Sequence, residues 1–355
     1  MRLPALFWLA LGLILLSPAP VRPSSETNVP VLTDAEAWTK LPRADEGAGQ
    51  PLPAWIRALA TSLPRTAAAM IELDDAQRSQ SPLPPRLRAK LRWFAAHANR
   101  CGYAEAYAAA DYVRAGGQIA DLQNLPGKLT TLPEEERLSL QLVKQLMDAG
   151  YSVSDKQIAR LVELMGEKQV VAIVLVAAYS AFQDRLLLAL GVAVEPNGPL
   201  PPVRVRFRRP PAPGNKGAPQ VKRPAPQPNE KGHPRRKLSP PSKNPPPVPN
   251  WVDDPEWTAI PFETLRTCLS SQIARRHARI HVPDAQTVLK NLPDGVPRPE
   301  RPTRIVWSLV TMGYQPRLAA AWSAGLRAFG DESDLDSVFR ESMFWVVTRS
   351  CQCFY

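Results

Sequence analysis

Cysteine is scarce in this chain: four residues in 355, Cys101, Cys268, Cys351 and Cys353, too few for a disulfide scaffold in a protein of this size. Histidine is equally scarce, with four residues. His277 and His281 are spaced i,i+4 as paired metal ligands can be, but no carboxylate or cysteine cluster accompanies them. Neither a metal nor a cofactor is therefore called for. A long hydrophobic run is missing at the amino terminus, where Ala5 to Leu16 is apolar for only twelve residues. A helical membrane span needs about 20 residues to cross roughly 30 Å of hydrocarbon. With Arg2 before the run and Ser17-Pro18-Ala19-Pro20 after it, residues 1–22 read as a secretory signal, and the protein as exported to a periplasm or the extracellular space. Anchoring by an uncleaved signal is the less favoured reading, and the absence of cysteine from the run argues against a lipoprotein.

An excess of charge is also missing from most of the chain. The formal charge is +11, yet residues 196–250 alone hold twelve Lys/Arg against the single acid Glu230. The rest is formally neutral, so a basic nucleic-acid groove on the folded part has no compositional support, and no nucleic-acid partner is expected there. The same segment holds eighteen of the forty prolines. It is expected to be a disordered linker, because such a composition buries too little apolar area to offset ordering entropy. Its first reading is a spacer, and its second a contact with anionic surfaces.

What remains reads as helices. Residues 23–50, polar and punctuated by Pro and Gly, are expected to be a loosely ordered leader, with folded structure starting near Leu52. Trp55 to Leu73 is one amphipathic stretch broken at Pro64; Pro84-Pro85 opens a helix through about Asn99; Tyr103 to Ala115 forms another, closed at Gly116-Gly117. Leu132-Pro133-Glu134-Glu135-Glu136 starts a fourth, Ser154-Asp155-Lys156-Gln157 has capping-box spacing for a fifth, and residues 167–190 form an apolar core helix. The fold class is all-α, with domains at 51–195 and 251–355 and a separate core expected in each.

The two domains repeat one another. A gapless shift of 252 positions lays Trp55 on Trp307, Pro64-Arg65 on Pro316-Arg317, Ala67-Ala68-Ala69 on Ala319-Ala320-Ala321, Leu83 on Leu335, Arg88 on Arg340, Trp93 on Trp345, Cys101 on Cys353 and Tyr103 on Tyr355. The shared Cys-x-Tyr is the chemical lead. A cysteine at a helix start meets orphan N–H groups and the positive dipole end, which favour thiolate over thiol.

These residues resemble the alkylhydroperoxidase D-like and carboxymuconolactone decarboxylase superfamily, whose small domains are all-helical. Its redox members carry Glu, eleven residues, Cys-x-x-Cys, three residues, His. Glu341 stands twelve positions before Cys353, and Cys353-Phe354-Tyr355 supplies the first three positions of a Cys-x-Tyr-Cys. The second domain is thus expected to be a truncated copy. The resemblance implies Cys353 as the first cysteine of the pair, the peroxidatic thiol as the residue expected next, and Glu341 in the proton relay. It implies a hydroperoxide substrate, a thiol reductant and a homo-oligomer. The first copy departs from the pattern. Ala89 holds the Glu position, Cys101 is kept, Ala104 replaces the second cysteine and Ala108 falls where His would be, so this domain is expected to be degenerate and structural.

The function expected is an exported, thiol-dependent peroxidase-like protein with catalytic candidates Cys353, Glu341 and Cys101. The alternatives are a non-catalytic envelope interaction or scaffold protein, and the superfamily's lactone decarboxylase branch. His97, four residues before Cys101, is a candidate base for that thiol, set against a plain packing histidine.

Overall fold

The computed structural model describes residues 29–208, 278–294, 296 and 305–350. The signal-like run, residues 209–277, and Cys351 and Cys353 lie outside the described residues, and with them Cys268 and His277. The architecture is all-α, with one two-stranded ribbon among the described residues.

Helix boundaries follow local chemistry. Helix α1, Asp34–Lys40, starts in a capping box in which Thr33 and Glu36 satisfy each other's backbone N–H. After α2, Ala54–Leu59, helix α3, Pro64–Ser79, begins with proline at its first position, where the missing N–H costs nothing. Helix α4, Pro85–Ala98, starts the same way and leads into α5, Gly102–Arg114. Gly116 follows at φ +83, a left-handed conformation that glycine adopts without penalty. The short α6, Ile119–Gln123, precedes α7, Glu134–Ala149, which carries three glutamates in its first turn against the helix dipole. Ser154 accepts the Gln157 N–H to open α8, Asp155–Met165.

Helix α9, Glu167–Leu190, is the axis of the fold. Val171, Leu175 and Tyr179 join one core cluster with α2 and α3, while Val170, Ile173 and Val176 join a second with α4, α5, α7 and α8. Packing on two sides explains why its sequence is apolar all round. Among the described residues it is the one helix long and apolar enough to cross a membrane, and its most apolar window is 67% buried.

Three expectations are corrected here. Residues 29–50 are not a loose leader: Val29, Val31 and Leu32 pack on the first core cluster, α1 follows, and Ala44–Glu46 forms strand β1. Residues 196–208, assigned to the linker, run back along the molecule and end in β2, Arg206–Phe207, antiparallel to β1 with Ala44 opposite Phe207. The apolar side chains of this stretch, Val203 and Phe207, outweigh its prolines because they find a buried site against the core. Nor do the cores divide at the expected domain boundary. The buried residues of the second cluster all lie within residues 83–177, whereas the first cluster joins residues of the amino-terminal half to Leu318 and Ala321 of the carboxy-terminal half.

That half contributes α10, Ala285–Lys290; α11, Val306–Tyr314; α12, Pro316–Glu332; and α13, Ser337–Ser350. A shift of 252 lays Ala54, Pro64 and Pro85, the first residues of α2, α3 and α4, on the first residues of α11, α12 and α13. Helix α12 packs antiparallel along α3. A Cβ at Gly325 would lie 2.5 Å from Met70 Cε, so this crossing is tight because it is glycine-mediated. At one end Glu332 accepts the backbone N–H groups of Arg65 and Thr66, at 2.9 and 2.8 Å, and so caps α3, whose own cap residue Leu63 has no side-chain oxygen. At the other end Ala76 and Gln80 face Arg317, Ala320 and Ala321 across a shared cleft. Glu167, at the start of α9, accepts from the His281 backbone N–H and the Tyr314 hydroxyl. Burial and this hydrogen bond push the Tyr314 hydroxyl up to about 12.

Candidate functional site: a guanidinium-lined cavity among α3, α4, α5 and α9

Helices α3, α4, α5 and α9 turn a set of charged side chains inward. On α3, Asp74 and Arg78 are one turn apart and form an ion pair at 3.1 Å. Arg78 also meets Asp111 of α5 through two hydrogen bonds of 2.8 Å, and its Nη2 reaches the Leu200 carbonyl at 2.9 Å. Burial works against the Arg78 charge, but the Asp74 and Asp111 carboxylates together outweigh it and keep the guanidinium protonated. Asp74 further accepts from the Tyr179 hydroxyl at 2.7 Å and Gln183 Nε2 at 3.2 Å. Burial, followed by the Asp74 charge, drives the Tyr179 hydroxyl far up.

A second pair lies beside the first. Asp184 is fully buried and binds Arg92 of α4 and, at 2.8 Å, Asn99 Nδ2. Removing one partner of such a pair strands the other charge, at a cost of about 3–5 kcal/mol. The same carboxylate logic holds the tail in place. Glu195 accepts from the Tyr103 and Tyr107 hydroxyls at 2.8 and 2.6 Å and from the Ala54 N–H at 2.6 Å, capping α2 from a distance. Burial pushes both tyrosine hydroxyls well above their usual range.

Between these groups lies a cavity of about 40 Å³. Its apolar wall includes Trp55, Val176 and Leu187, and also Ala89, Ala104 and Ala108. Arg88 and Gln77 reach it from α4 and α3.

Cys101 immediately precedes α5 and is 1% exposed. Burial pushes its thiol up, against the Ala104 N–H acting in the thiolate-favouring direction. At this helix start, then, desolvation exceeds the helix-terminus effect. His97 is half-exposed, stacks on Trp93 at 5.0 Å and sets Nδ1 3.4 Å from Glu105; no hydrogen bond joins it to Cys101 among the described residues. Glu341 is exposed on α13, 3.8 Å from Arg340, and is not brought to Cys101. Cys353 lies outside the described residues.

Asp74, Gln77, Arg78, Asp111, Tyr179 and Glu195 belong to no motif in the sequence. Their signal was positional: Asp74 and Arg78 share one helix face with the buried Met70 and Ala67, where charge is tolerated only if paired. No family model matches the chain, and neither the curated proteins nor the solved structures give a match. The class defined by fold and site is an all-helical protein with a buried ion-pair network around a small cavity.

Proposed function

We propose that the chain is an exported, duplicated helical protein of the alkylhydroperoxidase D-like kind. Its peroxide chemistry belongs to the second unit and its first unit is redox-silent. The observation that carries this reading is spatial. Ala89, Ala104 and Ala108, the positions that spacing alone aligns with the Glu, second Cys and His of the redox pattern, come from two helices and line one cavity. Ala104 and Ala108, one turn apart, share a face of α5 by helix geometry, and what supports the reading is that Ala89 meets them from α4. The shared helix starts at a 252-residue spacing, and the packing of α3 on its counterpart α12, support the duplication.

In the first unit Cys101 is buried with its thiol held protonated, and no second thiol or relay accompanies it among the described residues. By the resemblance Cys353 resolves a sulfenic acid formed on the second thiol of the pattern; in the chain as given, where Cys353 is the one cysteine at a pattern position of the second unit, its own thiolate would attack the hydroperoxide, releasing the alcohol and leaving a sulfenic acid. An added thiol would condense with that sulfenic acid to a disulfide and water, and a further thiol would restore Cys353. Glu341 would hold and return the proton. The test is hydroperoxide consumption by the chain with an external dithiol. Loss of consumption in Cys353→Ser and retention in Cys101→Ser is expected. Consumption no greater than that of a cysteine-free variant contradicts the reading.

The second reading, a non-catalytic interaction protein, is favoured by α13. Val338 is 71% and Phe344 65% exposed there, with Phe339 and Val347 also exposed. Apolar side chains grouped in this way mark an interaction surface.

A further inference from the structure

Among the described residues around the cavity of the first unit, one guanidinium has no carboxylate in direct contact. Arg78 is matched by Asp74 and Asp111, and Arg92 by Asp184. Arg88 lines the same cavity, partly buried, and makes no ion pair among the described residues; Asp111, the carboxylate it feels, is already held by Arg78 from two sides. A guanidinium stays charged under almost any condition, so burial without a counterion is a standing cost that a bound anion removes. Desolvation indeed acts on Arg88 against its charge.

Two further atoms are unmatched. Arg92 Nη1 is a buried donor without an acceptor, and Gln77 Oε1 a buried acceptor without a donor. Gln77 is 4% exposed, and both side chains line the cavity. Buried polar atoms in folded proteins are nearly always paired, so two orphans of opposite sense around one cavity describe a ligand that both accepts and donates.

We propose that this cavity binds a short 2-hydroxy monocarboxylate. Its carboxylate would be held by Arg88 and Arg92 Nη1, and its hydroxyl would donate to Gln77 Oε1. Arg78, Arg88 and Arg92 already face three carboxylates, Asp74, Asp111 and Asp184, so the guanidinium left without a direct partner admits no more than one further negative charge, and Asp74 and Asp111 on the wall oppose a dianion. The planar fork of a guanidinium matches a carboxylate. Trp55, Val176 and Leu187 favour a ligand that carries carbon, which excludes a halide. Alanine at 89, 104 and 108 leaves the space open, and about 40 Å³ admits only a few heavy atoms. The inference needs the cavity alone and stands whether or not the second unit consumes peroxide.

The test uses the full chain and glycolate, the smallest such anion, with sodium chloride at equal ionic strength as control. A saturable rise in the thermal midpoint is expected with glycolate and not with chloride, because a ligand that binds only the folded state raises its stability. In Arg88→Met that response should fall at least tenfold in apparent affinity, while the ligand-free midpoint stays level or rises as the unmatched charge is removed. An equal response to chloride, or an undiminished glycolate response in Arg88→Met, overturns the proposal. Saturation-transfer NMR from the unmodified protein to the glycolate methylene gives a reading that needs no variant. Transfer abolished by competing lactate supports the site, and absence of transfer contradicts it.

Discussion

Between α4 and α5 the chain turns at Arg100, the one non-glycine residue with positive φ among the described residues, at +56°. The turn is the usual way a helix stops: the Cys101 N–H reaches back to the Ala96 carbonyl at 2.9 Å, over a residue in the left-handed region. An arginine there pays for its Cβ, since the left-handed conformation costs an L-residue about 1 kcal/mol that glycine does not incur. Arg100→Gly is accordingly expected to raise unfolding stability by about 0.5–1 kcal/mol in urea titration, despite glycine's larger unfolded-state entropy. A loss of 1 kcal/mol or more would show that the side chain, and not the backbone, governs the turn. Individual residues were also where the sequence was least legible. Cys101 could be placed at a helix start from its neighbours, but that position favours a thiolate only where water or a cation is present. Burial by α2, α3 and α9 comes from residues far along the chain and has no local signature. The inward face of Asp74 and Arg78 was visible in helical periodicity, whereas their partners Asp111 and Tyr179 were not.

Helices were legible because their stop and start signals are local. Pro64 and Pro85 open α3 and α4, the three glutamates open α7, and the apolar run at 167–190 matches α9. Segments whose order depends on distant partners were read wrongly. Residues 29–50 and 196–208 look unstructured because each has too little apolar area alone, and they order by pairing with one another across the body of the fold. Remote capping belongs to the same category. Glu332 closes the amino terminus of α3 from 266 residues away, a bond that no local pattern announces. Glu332→Ala should therefore loosen the α3–α12 contact by about 1–2 kcal/mol, the usual worth of a cap, leaving the α9 region unchanged. Hydrogen exchange would report it as faster amide exchange confined to α12 and the first turn of α3. Uniform acceleration through α9 would mean that the cap supports the whole fold.

At the scale of the molecule the proposed duplication has the two halves meeting through α3 and its counterpart α12. Such an arrangement resembles a two-fold interface between identical subunits, in which each contact recurs with the roles exchanged. Arg65 lies 3.2 Å from Asp331 at one end of the α3–α12 pair. Under the 252-residue shift the exchanged positions are Arg317 against Ser79 and Gln80 at the other end, where Gln80 and Arg317 border one cleft. The antiparallel crossing passes through Gly325, between the two. In the proposed duplication α3 packs on its counterpart α12 within a single chain. The most direct test is a pair of double-cysteine variants in a background with all four native cysteines replaced by serine: Arg65→Cys with Asp331→Cys, and Gln80→Cys with Arg317→Cys. Each is treated with a short bismaleimide. The account predicts that both pairs cross-link within one chain, giving a compact monomeric band on a denaturing gel. Cross-linking at one end only, or only between chains, would contradict it.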